Sequence, residues 1–173
     1  MKELSKFNKE TSINLIQSIC NDENEISLVC SLSKFLMLFN LFEKNFLKDL
    51  GNWYEVPQNY EIDETEITNE FNFFKDRYYK DGKETSIFKG LNIYKKWEIK
   101  KNFKEDNNKF ETLLRISYMF RNNLYHGYKH ILDLKKYEEC FEKINGFMIK
   151  IISDANTKGE NSVNTEKGIC FKG

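Results

Sequence analysis

Paired cysteine spacing is missing from this chain. Its four cysteines, Cys20, Cys30, Cys140 and Cys170, stand far apart and include no CxxC. That argues against a disulfide framework and a zinc knuckle, and it fits a reducing cytoplasm. No apolar secretory stretch follows Met1-Lys2-Glu3. The longest apolar-rich stretch, Phe35 to Leu50, is interrupted by Asn40, Glu43, Lys44, Asn45, Lys48 and Asp49. A bilayer span needs about 20 mostly apolar residues, so no membrane partner is expected. Net charge is absent too, with 27 Lys+Arg against 27 Asp+Glu. Overall charge therefore speaks neither for nor against a nucleic-acid partner; only its distribution can. Arginine is scarce: Arg77, Arg115 and Arg121 are the whole set. Where Lys is the default, an Arg marks a position that wants a planar, always-charged fork.

What is present is aromatic payload and helical periodicity. Aromatics make up 15 % of the 173 residues, a length that suits one domain with its own core. Ser12 to Cys20 reads as a short leading helix. Glu25 to Leu50 carries Leu28, Leu32, Phe35, Phe39, Phe42 and Phe46 at steps of three and four, the spacing of one buried face. Gly51 sits where a C-cap belongs, and residues 51–62, with the only proline, Pro57, read as a loop. Asp63-Glu64-Thr65-Glu66 has the form of a capping box with Asp63 as N-cap. Ile67, Phe71, Phe74 and Tyr78 continue as a helical stripe, and Asp81-Gly82-Lys83 is a turn.

Residues 86–103 are ambiguous. Ile87, Leu91 and Tyr94 fit a helix, while Trp97, Ile99 and Phe103 fit alternation equally well. Lys109 to His126 is helical with Phe110, Leu114, Ser117, Phe120 or Arg121, and Leu124 on one face, ending at Gly127. Asp133 caps a last helix whose face is Leu134, Tyr137, Phe141, Ile144, Met148 and Ile151. The polar segment 154–173 has no period and is expected to be a mobile tail after a domain spanning 1–153. The expected architecture is all-α, a bundle of four to five helices.

Chemically, Arg121-Asn122-Asn123-Leu124-Tyr125-His126 stands out. It sets the least substitutable cation and the side chain that titrates near neutrality five residues apart. Five helical positions turn through about 500°, so Arg121 and His126 lie about 140° apart, whereas Asn122 and His126 share a face. One chain therefore offers half a site, or a site at an interface. The residue types suit RNA cleavage. Attack of the ribose 2′-hydroxyl on the adjacent phosphorus needs a base near neutral pH and a cation for the phosphoryl oxygens. No metal or cofactor is required, because the nucleophile is already in the substrate.

This string resembles the R-x4–6-H signature of the HEPN superfamily. Asn122 stands where that family usually carries a polar residue, with the motif late in the chain and one more amphipathic helix after it. Phe39-Asn40-Leu41-Phe42-Glu43 is similar to the Asn/Glu-bearing helix that faces the motif in many members, which gives Asn40 and Glu43 a supporting role. The resemblance covers residues 25–152, with nothing alignable in 51–105, read as a loop and variable insertion. It implies an endoribonuclease without metal, working as a homodimer whose two motifs meet across a two-fold axis, with His126 as acid/base, Arg121 on the scissile phosphate and Asn122 orienting the pair. It also implies a toxin–antitoxin, abortive-infection or antiviral defence setting, with an antitoxin or defence-system partner protein. Tyr128 extends the match to toxins whose tyrosine receives AMP.

Plainer readings stand beside these. Arg121 and His126 can simply complement the helix dipole, worth roughly 0.3–1 kcal/mol. Asn40 and Glu43 can be a solvated strip. His126 and His130, spaced i, i+4, lack a third metal ligand and are separated by Gly127. Lys89, Lys95, Lys96, Lys100, Lys101 and Lys104, interleaved with Tyr94, Trp97 and Phe103, have the composition of an RNA track, with Lys95, Lys96, Lys100 and Lys101 as its candidates, or of a solvated helix face. A HEPN module that binds RNA, nucleotide or a protein without cutting is the rival function.

Overall fold

Two long amphipathic helices and one enclosed helix organise the chain. In a computed structural model the described residues are 23–47, 52–125 and 135–165. Along them run α1 (Glu23–Phe46), a 3-10 turn (Trp53–Glu55), α2 (Val56–Asn59) and α3 (Thr68–Tyr78). A hairpin of β1 (Tyr79–Lys80) and β2 (Lys83–Glu84) follows, then α4 (Ser86–Gly90), α5 (Lys96–Glu105) and α6 (Lys109–Tyr125). A second 3-10 turn (Lys135–Tyr137) leads into α7 (Glu138–Thr165). The all-α expectation holds, with four residues of strand as the exception among those described. The leading helix expected at 12–20, the Gly51 cap, Gly127 and Asp133 lie outside the described residues.

The stripe on α1 is buried as its spacing requires: Leu28, Phe35, Phe39 and Phe42 are inside, with Leu32 and Phe46 half-buried. It packs along α7, where Phe35 meets Phe141 at 5.5 Å between ring centroids. Asn145 Nδ2 donates to the Ser31 carbonyl at 2.9 Å and locks the register of the two helices. Ile67, Phe71, Phe74 and Tyr78 are all fully buried, so the region read as a variable insertion is part of the core. Ile67, Phe71 and Phe74 each contribute about 1.5–3 kcal/mol by burial.

The helix α6 departs from its expected single face. Thr112 to Phe120 are buried without a break. It is the central element, and two of its buried polar residues find partners inside the bundle. Thr112 Oγ1 accepts from Asn102 Nδ2 at 2.9 Å, and Ser117 Oγ donates to the Leu113 carbonyl at 2.8 Å.

Other local expectations shift. The capping box does not close: Asp63 Oδ1 accepts from Thr65 N and Oγ1, at 2.9 and 2.7 Å, making a turn, and α3 starts only at Thr68. Glu64 instead accepts from Phe110 N at 3.1 Å and caps the start of α6. The segment read as a loop around Pro57 is helical, because proline sits in the first turn of α2, where no amide is needed. In α4 it is Phe88 that is buried, while Ile87 points out. On α5, Ile99 and Phe103 point inward at helical spacing and Trp97 is 66 % exposed. Asp81 and Gly82 both have positive φ, 52° and 75°, as the two-residue hairpin turn demands.

Residues 154–165 continue α7 rather than opening a tail. Tyr60 Oη donates to Asp154 Oδ2 there, and burial, reinforced by that carboxylate, pushes the phenol pKa up. One further difference concerns hydropathy. Ile26–Phe46 is, by length and composition alone, long and apolar enough to cross a membrane. The window starting at Phe35 missed it because Ile26, Leu28, Val29 and Leu32 extend the apolar stretch upstream. Here its stripe packs inside the bundle, and Met37 and Leu41 lie on its exposed side.

Candidate functional site

At the exposed end of α6 the chain leaves the core. Phe120 is buried, Arg121 is half-buried and Asn122 is exposed. The helix continues through Tyr125, so the first five residues of the motif are helical. His126, Tyr128 and His130 lie outside the described residues.

Arg121 turns toward α1. Its Nη2 lies 3.4 Å from Glu43 Oε1, and its Nη1 donates to Asn122 Oδ1 at 3.3 Å. Both side chains of the ion pair keep about a third of their surface, 30 % and 28 %. The pair is thus shared between a packed helix flank and solvent. Glu43 reaches it from the edge of the buried stripe, next to Phe42. Asn40, three residues earlier, is exposed on α1. Arg121, Asn122 and Glu43 are therefore brought together, and Asn40 is on the solvent side.

Beneath the pair stands Tyr118, one turn back on α6. Its ring meets Phe39 edge-on at 4.8 Å and stacks on Trp53 at 4.6 Å with 21° between planes. Burial pushes its hydroxyl pKa up, the negative charge of Glu43 pushes the same way, and Arg121 opposes both.

A further turn back, Arg115 is 3 % exposed. Its Nη2 bonds Glu98 of α5 and Glu111 of α6. Its guanidinium carbon lies 5.5 Å from the Trp53 ring centroid and 5.6 Å from that of Tyr94. Arg115, Tyr118 and Asn122, at steps of three and four, line a cleft of about 520 Å³ together with Trp53, Tyr54 and Tyr94. A second cleft shares Asn92 and Asn123 with the first and carries Arg77 and Lys136.

The four lysine candidates of the block have local partners. Lys95 pairs with Glu98 at 3.1 Å, Lys100 with Glu84 at 2.8 Å and Lys101 with Glu105 at 3.9 Å. Lys96 Nζ donates to the carbonyls of Lys89 and Leu91, at 2.9 and 3.0 Å, and lies over the Phe88 ring. Three of these four lysines thus pair with a carboxylate, and Lys96 bonds two carbonyls. Lys95 lies beside a ring of the aromatic cleft, with its Nζ 5.8 Å from the Tyr94 centroid. Among the described residues no three of His, Cys, Asp or Glu cluster as metal ligands do.

Sequence reasoning passed over Trp53 and Tyr118, and marked Arg115 as one of three informative arginines without giving it a place in the site. A signal was there for Arg115 and Tyr118, which repeat with Asn122 at helical spacing. Trp53 lay in a segment set aside as loop.

No family model, no curated protein and no solved structure matches the chain.

Proposed function

We propose that this chain is a HEPN-type endoribonuclease that cuts RNA without a metal ion, as a two-fold dimer pairing two copies of the α6 end. The observation that supports this reading most is the meeting of Arg121 with Glu43. A half-buried guanidinium in the last turns of a helix, steadied by a carboxylate from another helix, suits gripping a phosphate without moving. His126 follows Arg121 by five residues. In this scheme His126 takes the proton from the ribose 2′-hydroxyl as that oxygen bonds to phosphorus. The 5′-oxygen of the next nucleotide leaves, taking a proton from the partner subunit's copy of the motif. The products are a 2′,3′-cyclic phosphate and a 5′-hydroxyl. Arg121 neutralises charge on the phosphoryl oxygens, and Asn122 orients the pair. General acid–base help of this kind contributes about 10²–10⁴-fold.

The test is RNA cleavage by the purified protein in EDTA, with Arg121→Ala and His126→Ala beside it and folding followed by circular dichroism. Each folded variant is expected to lose cleavage. Unchanged cutting by both overturns the reading, and so does a monomer in sedimentation with full activity.

A second reading has its own observation. Arg121 already shares its guanidinium with Glu43 and with Asn122, which fits a module that binds RNA, a nucleotide or a partner protein without cutting. Binding with no cleavage across several RNAs selects it. Modification of Tyr128 with AMP by a nucleotidyltransferase partner, read by mass spectrometry, is the further branch in which the chain is a regulated toxin.

A further inference from the structure

The cleft beside the motif helix has an unusual balance of groups. Its walls are aromatic, from Trp53, Tyr54, Tyr94 and Tyr118, and Asn122 stands at one end. Its volume of about 520 Å³ lies in the range of small-molecule sites. Charge cancels around it. Arg115 and Lys95 face Glu98 and Glu111, so two positive charges meet two negative ones. An anion gains nothing there.

Hydrogen bonding, by contrast, is left open. Arg115 Nε and Nη1 and the Tyr118 hydroxyl are buried with no acceptor among the described residues. Such groups are rare in folded proteins because each loses its bonds to water without replacing them. The Tyr94 ring covers the Arg115 guanidinium at 5.6 Å yet is itself 60 % exposed. It lies on the short connection between α4 and α5 and can turn without unpacking the core.

We propose that this cleft is a nucleobase subsite. It takes an unpaired base, a flat uncharged ring system with acceptor atoms on its edge. The base stacks on the aromatic walls, the Tyr94 ring turning to admit it. Its ring nitrogens and carbonyl oxygens accept from Arg115 and Tyr118, and the Asn122 amide offers both a donor and an acceptor. The inference rests on the RNA reading above for its main source of bases, a single strand running past Asn122 toward Arg121. A free nucleotide carries the same chemistry.

Two tryptophans make the test direct, because Trp97→Phe leaves Trp53 as the sole reporter. The full chain carrying Trp97→Phe and His126→Ala is titrated with three probes: an adenylate hexaribonucleotide, an abasic hexamer with the same phosphates, and AMP. Quenching of Trp53 by the hexamer and not by the abasic strand is expected. Tyr94→Ala should then weaken hexamer binding roughly five- to a hundredfold, while Tyr94→Phe preserves it. Quenching by AMP at similar concentration marks a free nucleotide as the source, and quenching by the hexamer alone marks the strand. Equal binding of abasic and base-bearing strands, with Tyr94→Ala silent, overturns the proposal. That failure is separable from failure of the ribonuclease reading. Loss of base dependence with cleavage still requiring Arg121 and His126 removes the subsite alone, and base-dependent binding by a protein that cuts nothing removes the cleavage alone.

Discussion

Arg121 on α6 and Glu43 on α1 are 78 residues apart in sequence and 3.4 Å apart in space. The contact ties the end of the enclosed helix to the first helix of the bundle, at the point where both reach solvent. Because neither side chain is fully buried, the pair is worth little as a source of stability, about 0–1 kcal/mol. In the proposed ribonuclease its value is orientation.

Glu43→Gln should therefore separate stability from activity. Urea unfolding is expected to shift by less than about 1 kcal/mol. The turnover number for RNA cleavage should fall roughly ten- to a hundredfold, since small displacements of a catalytic cation are costly, with KM changed little. A variant that unfolds early, or one whose KM alone rises, contradicts a positioning role for Glu43.

Arg115 predicts the opposite balance. It is buried and binds two carboxylates. Removing one partner of such a cluster costs about 3–5 kcal/mol. Glu98 and Glu111 keep 20 % and 31 % of their side-chain surface and can rehydrate, so Arg115→Met should lie near the lower end, about 3 kcal/mol. Adding Glu98→Gln and Glu111→Gln to it should recover part of the loss, which a multiple-mutant cycle by urea denaturation measures. Strict additivity would show that the three side chains are energetically independent.

Acid stability should follow Asp106. The hydrogen bond from Lys75, at 2.7 Å, holds its carboxyl below the usual aspartate range. A folded-state pKa below the unfolded one means the contribution is fully present above about pH 4 and is lost as pH falls through the folded value. Lys75→Met removes the partner and keeps the backbone. Wild type should exceed it in stability at pH 6, and the difference should shrink as pH falls below about 4. A gap that does not narrow as the solution is acidified rules this linkage out.

Much of the fold was legible wherever a helix buries one face. The stripes on α1, α3 and α7 were read in phase because each has a wet side to contrast with the dry one. The helix α6 has almost none. Ser117 was placed on the stripe while Thr112 and Arg115 fell off it, yet all three are buried and find partners inside. Single-sequence periodicity cannot anticipate those partners, since Asn102 and Glu98 come from another helix. In α4 the phase was wrong by one residue, Phe88 for Ile87, because five residues give too little period to choose between neighbours. At the site, Arg121, Asn122 and Glu43 were named from the chain, whereas the aromatic cleft needs Trp53, brought in by a turn 62 residues before Arg115.

From Thr112 to Phe120 the central helix is surrounded, and beyond that shaft it reaches solvent from Arg121 onward. A rod gripped along nine residues cannot spin or slide without opening voids around it. Variation is therefore confined to its tip: substitutions at Asn122 and beyond can retune chemistry while the shaft stays intolerant. Amide hydrogens should divide at the same boundary, with those of the shaft exchanging only when the whole domain opens and those of the tip exchanging through local fraying.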